Sequence, residues 1–106
     1  MRELMRAAVR LHILHHAAKE DIHGAWMSEE LAKHGYSISP GTLYPTLHRM
    51  EQDGLLVSRQ EVVGGRLRRV YRSTQAGLDV LADGRKSVAE LAAEILPESP
   101  KENPHE

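Results

Sequence analysis

Hydroxyl and guanidinium side chains recur on one side of the segment that begins at Ser39. The apolar residues Leu43, Leu47 and Met50 recur at helical spacing, which predicts a helix whose opposite side is exposed. Such polar groups near a helix N-terminus can bond base edges and phosphates in a DNA major groove, and the free N–H groups of the first turn attract phosphate. An ordinary solvated helix face is the alternative. The residues expected to bind DNA here are Ser39, Pro40, Gly41, Thr42, Tyr44, Thr46 and Arg49.

A second group of cations surrounds the Gly64-Gly65 pair. A hairpin tip can place guanidinium groups on the phosphate backbone or in the minor groove. Because side chains alternate along a strand, Arg68 and Arg72 should lie on one face and Arg69 on the other. Arg66 and Arg68 are the residues that we expect to contact DNA. The alternative for one or two of the four arginines is a surface ion pair with Glu51 or Glu61.

Three histidines, His12, His15 and His16, share one predicted helix. His12 and His16 are one turn apart, a spacing that can chelate a transition metal, which makes the three weak candidate ligands. No carboxylate completes the set locally, so unliganded histidines on a helix surface are the more ordinary interpretation. A metal or small-molecule effector, if one binds, should lie between the first and last helices.

Catalysis is not indicated by any residue pattern in the chain. The serines are scattered and have no evident base beside them, and there is no cysteine to act as a nucleophile or thiolate ligand. We therefore expect no enzyme activity and no cofactor.

The elements that must position these side chains can be predicted in order. Apolar spacing predicts a first helix over residues 3–19 and a short second helix that ends near Gly35. Ser39 is a favourable N-cap and Pro40 a favourable first residue for a third helix over residues 40–53. Two β-rich stretches around Gly64-Gly65-Arg66 predict a hairpin.

A last helix follows Thr74, a favourable N-cap residue. Its apolar residues are spaced almost as in a heptad repeat, which indicates packing against another helix. A domain this small can cover only part of that stripe, so we expect a homodimer; packing against the first helix of the same chain is the alternative. The residues expected at the dimer interface are Leu4, Leu11, Leu78, Leu81, Val88, Leu91 and Ile95.

Three helices followed by a hairpin predict a mainly α fold with a small β-hairpin, the winged helix-turn-helix arrangement. Residues 1–73 would form the DNA-binding domain and residues 74–96 a C-terminal dimerisation helix. Residues 97–106 are rich in proline and poor in apolar side chains, which predicts a disordered tail.

Charge and hydropathy place limits on the partners. The chain has 106 residues, a formal net charge of −1 and no cysteine, and no apolar run long enough to span a membrane. We therefore expect a single cytoplasmic domain without a membrane partner. The net charge does not favour DNA binding, but residues 36–72 hold six arginines against three acidic residues, whereas the C-terminal segment is acidic.

The stretch SPGTLYPTLHRMEQDGLL, residues 39–56, closely resembles the signature of the PadR family of transcriptional regulators. His23-Gly24 resembles the start of the second helix in that family, and Tyr71-Arg72-Ser73-Thr74 resembles the end of its wing. The similarity covers roughly residues 8–83. Two departures are Ala25-Trp26, where the family tends to have an aromatic and then a polar residue, and Met50, where leucine is frequent.

The resemblance implies a homodimeric regulator of the short subfamily, with one C-terminal helix for dimerisation. We expect a repressor that binds a double-stranded, pseudo-palindromic DNA operator and is released by a small-molecule or metal effector. The alternative is a winged-helix module that binds proteins and not DNA. Trp26 is the sole tryptophan, and the sequence leaves open whether it packs in the core or between subunits.

Overall fold

The computed structural model describes residues 2–97. The predicted architecture, helical with a small β-sheet, is confirmed. Most of the predicted tail, residues 98–106, lies outside the described residues, and no helix within residues 2–97 is both long and apolar enough to span a bilayer. In chain order the elements are α1 (Glu3–Lys19), β1 (Ile22–His23), α2 (Gly24–Lys33), α3 (Pro40–Gln52), β2 (Leu56–Val63), β3 (Arg66–Ser73) and α4 (Gln75–Ile95).

Helix α3 begins where the sequence predicts. Ser39 occupies the N-cap position with extended backbone angles, and Pro40 is the first helical residue. The Ser39 hydroxyl does not cap a backbone N–H, however, and donates instead to Thr42 Oγ1 at 3.4 Å. Helix α3 continues through Pro45, and the next residue, Thr46, donates its hydroxyl to the Thr42 carbonyl at 2.7 Å.

The core lies where α1, α2 and α3 meet the base of the sheet. Each helix contributes one buried apolar face, and the connection to β2 adds Leu55 and Leu56. Burying these side chains is the main source of stability for a domain of this size. The fully buried large side chains are Val9, Ile13, Leu14, Ile22, Met27, Leu31, Leu43, Leu47, Met50 and Val70.

The sheet has three antiparallel strands in the order β1-β3-β2. The predicted hairpin is present, and its turn is the Gly64-Gly65 pair, with φ of 58° and 78°, while Arg66 already belongs to β3. Two successive residues at positive φ are the requirement of a type I′ turn. Strand β1 was not predicted, because a two-residue strand has no measurable periodicity; it pairs Ile22 with Tyr71 and so attaches the start of α2 to the wing.

Helix α4 is capped by Thr74, whose hydroxyl oxygen accepts from Gly77 N at 3.1 Å. Its first turns pack on the protomer core through Leu81, and Gly84 lies against the Leu11 side chain of α1. Beyond Gly84 the apolar side chains of α4 are exposed, Val88 and Ile95 among them. The C-terminal half of α4 therefore exposes apolar side chains, although Arg85, Val88 and Ala89 still border a cleft against α1.

The histidines of α1 lie between that helix and its neighbours. The His12 ring lies 4.8 Å from that of His34, and the His16 ring lies 5.1 Å from Trp26 in an edge-to-face contact. Burial is the main cause that lowers the pKa of His12, His15 and His16 below the ordinary value; neighbouring basic groups act in the same direction, whereas Glu30 opposes the shift at His12 and His16. These histidines therefore favour the neutral form in the folded chain more than in the unfolded chain.

Gly77 lies in the first turn of α4, and a methyl group there has no room. An added Cβ would overlap the Leu55 carbonyl oxygen, which is backbone and cannot move aside. We expect Gly77→Ala to lower the free energy of unfolding by about 1–3 kcal/mol, measured by chemical denaturation. Gly41→Ala in the first turn of α3 is the control, because its Cβ would meet nothing closer than 3.8 Å, and it should be neutral or stabilising. Equal effects of the two substitutions would contradict this account.

The lowered histidine pKa values predict a pH dependence of stability. Since the unfolded chain binds protons more readily, the free energy of unfolding should fall as the pH drops below the ordinary histidine pKa of 6.5, and should level off above it. Denaturation curves between about pH 7 and about pH 5 measure the slope. The double variant His12→Gln, His15→Gln should reduce the slope, and His16 should account for part of what remains. A wild-type slope of zero would show that these histidines titrate alike in both states.

Candidate nucleic-acid interface

Helix α3 has one buried and one exposed side. Leu43, Leu47 and Met50 are each no more than 1% exposed, and they fix the helix on the core. The opposite side, here called the recognition face, consists of Thr42, Thr46, Arg49 and Gln52; all are exposed except Thr46, which is half-buried. Ser39, Pro40 and Gly41 are exposed at its N-terminal end. The first turn holds no acidic residue, so no side chain opposes the positive end of the helix dipole.

Tyr44 lies beside the recognition face and also contacts α2. A Cβ built on Gly24 would lie 2.5 Å from Tyr44 Cε1, so only glycine leaves room for the ring at this position. Tyr44 therefore helps to set α3 against the start of α2, a packing role that the sequence did not indicate. It also lines a cleft of about 240 Å³ between the start of α2 and the wing, with Arg68 and Arg69 on the wing side.

The wing arginines separate into paired and unpaired groups. The side chains of Arg66 and Arg68, which the sequence favours for DNA contact, form no ion pair or hydrogen bond with any part of residues 2–97. Arg66 is exposed and Arg68 is half-buried. Arg69 donates to Ser58 Oγ at 3.0 Å, and the Ser58 hydroxyl donates to Glu51 at 2.7 Å, which connects the wing to α3.

The expected ion pairs of the wing arginines with Glu51 or Glu61 do not form. Arg72 instead pairs with Asp21 at 3.5 Å, and Asp21 also binds Arg59, which in turn reaches Glu61. The hydrogen bond from Arg59 lowers the pKa of Asp21, and Arg72 acts in the same direction, so the carboxylate stays ionised. Asp21 is distant in sequence from both arginines, and no local pattern could have identified it.

The candidate metal ligands are not brought together as a metal site. In the described part of the chain, no three or more His, Cys, Asp or Glu side chains are grouped so that they could hold a metal ion. His16 lies 3.6 Å from the Glu30 carboxylate, and His15 Nδ1 lies 3.3 Å from the Arg85 guanidinium. Both histidines therefore have partners within the protomer.

The residues expected at the dimer interface occupy two environments. Leu81 is only 4% exposed and belongs to the protomer core, so its assignment to the interface is corrected: it packs within its own chain, beneath α1. Leu11 is half-buried against the same core. The others have exposed side chains on one chain; they are Leu4, Leu78, Val88, Leu91 and Ile95.

Comparison with known proteins identifies the family to which this chain belongs. Residues 13–83 match the model of the transcriptional regulator PadR-like family. Transcriptional regulator Rv3488 of Mycobacterium tuberculosis is 66% identical over 96 residues, which cover 91% of this chain and 90% of that protein.

Solved structures of PadR proteins share this fold. A PadR family transcriptional regulator from Eggerthella lenta has a TM-score of 0.72 at 30% identity, with 87% of this chain and 82% of that one covered. The PadR-like regulator BC4206 from Bacillus cereus has a TM-score of 0.78 at 26% identity, with 92% and 100% covered. The chain belongs to the PadR family of transcriptional regulators, which are not enzymes.

Proposed function

We propose that this chain is a cytoplasmic repressor that binds a pseudo-palindromic DNA operator as a homodimer. The observation that carries the proposal is the division of α3. Its apolar side is fully buried, while its hydroxyl and guanidinium side is exposed next to two wing arginines without ion-pair partners in residues 2–97. A helix that packs on the core with its apolar side and exposes polar side chains on the opposite side is suited to binding in the major groove.

The recognition face and the wing would make different contacts with DNA. Thr42 and Arg49 on α3 would reach base edges, while Gly41 N–H at the positive end of the helix dipole would bind a backbone phosphate, since Pro40 has no N–H and Thr42 N already donates to the Ser39 carbonyl at 3.0 Å. Arg66 and Arg68 would contact phosphates or the minor groove beside it. Because the phosphate contacts carry no sequence information, discrimination between operators would depend on α3.

The exposed apolar side chains in the C-terminal half of α4 are the observation that supports a dimer. Val88, Leu91 and Ile95 are 54%, 44% and 64% exposed, and they follow one another at helical spacing along α4. Covering this stripe with a second copy would remove apolar surface from water. It would also place two α3 helices on one duplex, about one DNA turn or roughly 34 Å apart.

An effector would bind between α1 and α4. A cleft of about 420 Å³ lies there, lined by apolar residues and by His12, His15 and Arg85. Because Leu81 and Val88 line this cleft as well, its occupant would contact both the protomer core and the proposed dimer surface. A ligand there would be placed to change how the two protomers are oriented.

Operator binding should depend on the recognition face and on salt. In gel-shift titrations against the promoter of its own operon, Arg49→Ala or Thr42→Ala should weaken operator binding about tenfold, with little effect on an unrelated duplex, because base contacts contribute about 1–3 kcal/mol each. Wild-type affinity should fall steeply with salt concentration. Lys33→Ala, at the far end of α2, is the control for loss of a positive charge.

The outcome that would reject DNA recognition is wild-type protein that binds no duplex at low salt, or all duplexes equally. A protein-binding module would give that result. Loss of the dimer in Arg49→Ala would show instead that this face packs against protein.

The dimer should depend on the exposed stripe of α4. Leu91→Glu places a charge in the proposed apolar interface, which should yield monomers in analytical ultracentrifugation at micromolar concentration and abolish operator binding. Ala93→Glu is the matched control, because it adds the same charge on the opposite side of the same turn. If Leu91→Glu remains dimeric, the α4 stripe is not the interface.

A further inference from the structure

We propose that the N-terminal half of α1 is a third DNA-contact element, in which Arg10 binds a backbone phosphate beside the recognition face. The inference rests on the proposed DNA binding and adds to it a contact that neither α3 nor the wing supplies. It begins from Arg6 and Arg10, two cations in the N-terminal half of α1.

The first observation is a cleft of about 370 Å³ between α1 and α3. Its walls come from Arg6 and Arg10 on one side and from the recognition face, with Thr42, Thr46 and Arg49, on the other. Cations of α1 therefore open onto the same space as the hydroxyl groups expected at the DNA. A nucleic-acid strand bordering a groove occupied by α3 would pass this cleft with its phosphates toward the protein.

The second observation is the charge balance at the mouth of this cleft. One carboxylate, Asp53, lies between two guanidinium groups: its oxygens are 3.8 Å from Arg10 Nη2 and 3.9 Å from Arg49 Nε. Two cations thus share one anion, which leaves positive charge in excess. All three side chains are at least 38% exposed, so these pairs contribute little to stability.

These distances also explain how a phosphate would be accepted. The contacts lie near the outer limit of an ion pair, so a phosphate oxygen can take the guanidinium N–H groups without displacing a strong bond. Asp53 would oppose DNA binding, because its negative charge faces the incoming phosphate.

A purely structural role for Arg10 predicts something different. Its neighbours Val9 and Ile13 are fully buried, and Arg10 could serve only to join α1 to the end of α3 through Asp53. In that case removal of either partner should have the same effect. A phosphate contact predicts opposite effects on DNA affinity for removal of the cation and removal of the anion.

The experiment measures binding of the full chain to operator and to an unrelated duplex by fluorescence anisotropy over a range of salt concentrations. Arg10→Gln should weaken both to a similar degree, and should reduce the slope of log affinity against log salt by about 0.9 for each phosphate that the variant no longer neutralises. Asp53→Asn should strengthen both. Arg10→Lys should retain the salt slope, because lysine keeps the charge.

The controls separate this contact from folding and from DNA binding itself. Lys33→Gln removes a positive charge that does not line the cleft and should leave affinity and slope unchanged. The inference is overturned if Arg10→Gln keeps the wild-type slope, or if Arg10→Gln and Asp53→Asn weaken binding alike with matched decreases of stability in denaturation. Wild-type protein that binds no duplex would reject the proposed function, and this contact with it.

Discussion

The attachment of α3 to the core through Leu43, Leu47 and Met50 is the constraint on which the other features depend. These three side chains fill the space that α1 and α2 leave, and a helix fixed along one side can rotate very little. The direction of Thr42 and Arg49 is therefore set by burial on the opposite side and not by their own contacts. The same attachment determines where the wing begins, because β2 follows α3 after only a short turn at Gly54.

The wing is held by pairs of residues that are far apart in the sequence. Strand β1 joins its edge to the start of α2, Asp21 binds two of its arginines, and Ser58 connects Arg69 to Glu51 of α3. Each is a modest interaction taken alone. Together they attach the base of the hairpin at several points, while the tip around Gly64-Gly65 remains exposed. The base of the wing is therefore held in place, while its tip is exposed.

The sequence predicted those parts of the fold that are encoded by neighbouring residues. The start of α3 follows from Ser39-Pro40, the hairpin turn from Gly64-Gly65, and the cap of α4 from Thr74. Strand β1 could not be predicted, since its pairing partner Tyr71 lies 49 positions beyond Ile22 in the numbering. Leu81 was assigned to the dimer surface because a heptad pattern shows that a side chain is covered, but not which chain covers it. Within the candidate site, residue types could be predicted, whereas the partners of Arg59, Arg72 and Arg10 depend on tertiary contacts.

The arrangement of ion pairs accounts for how a chain with a net charge of −1 can be suited to DNA. Several of its arginines are matched by carboxylates: Asp21 binds Arg59 and Arg72, and Asp53 lies beside Arg10 and Arg49. Carboxylates beside these arginines reduce the net attraction of a single protomer for a phosphate backbone, so on the proposed function its binding to arbitrary DNA would be weak. On the proposed function, affinity for an operator would come from contacts that a correct sequence supplies and from two protomers acting on one duplex, since the second would bind at a high effective concentration once the first is in place. On the proposed function, the nearly neutral charge keeps a single protomer from binding arbitrary DNA tightly. The dimeric state then gives tight binding only at sites that both copies of α3 can occupy.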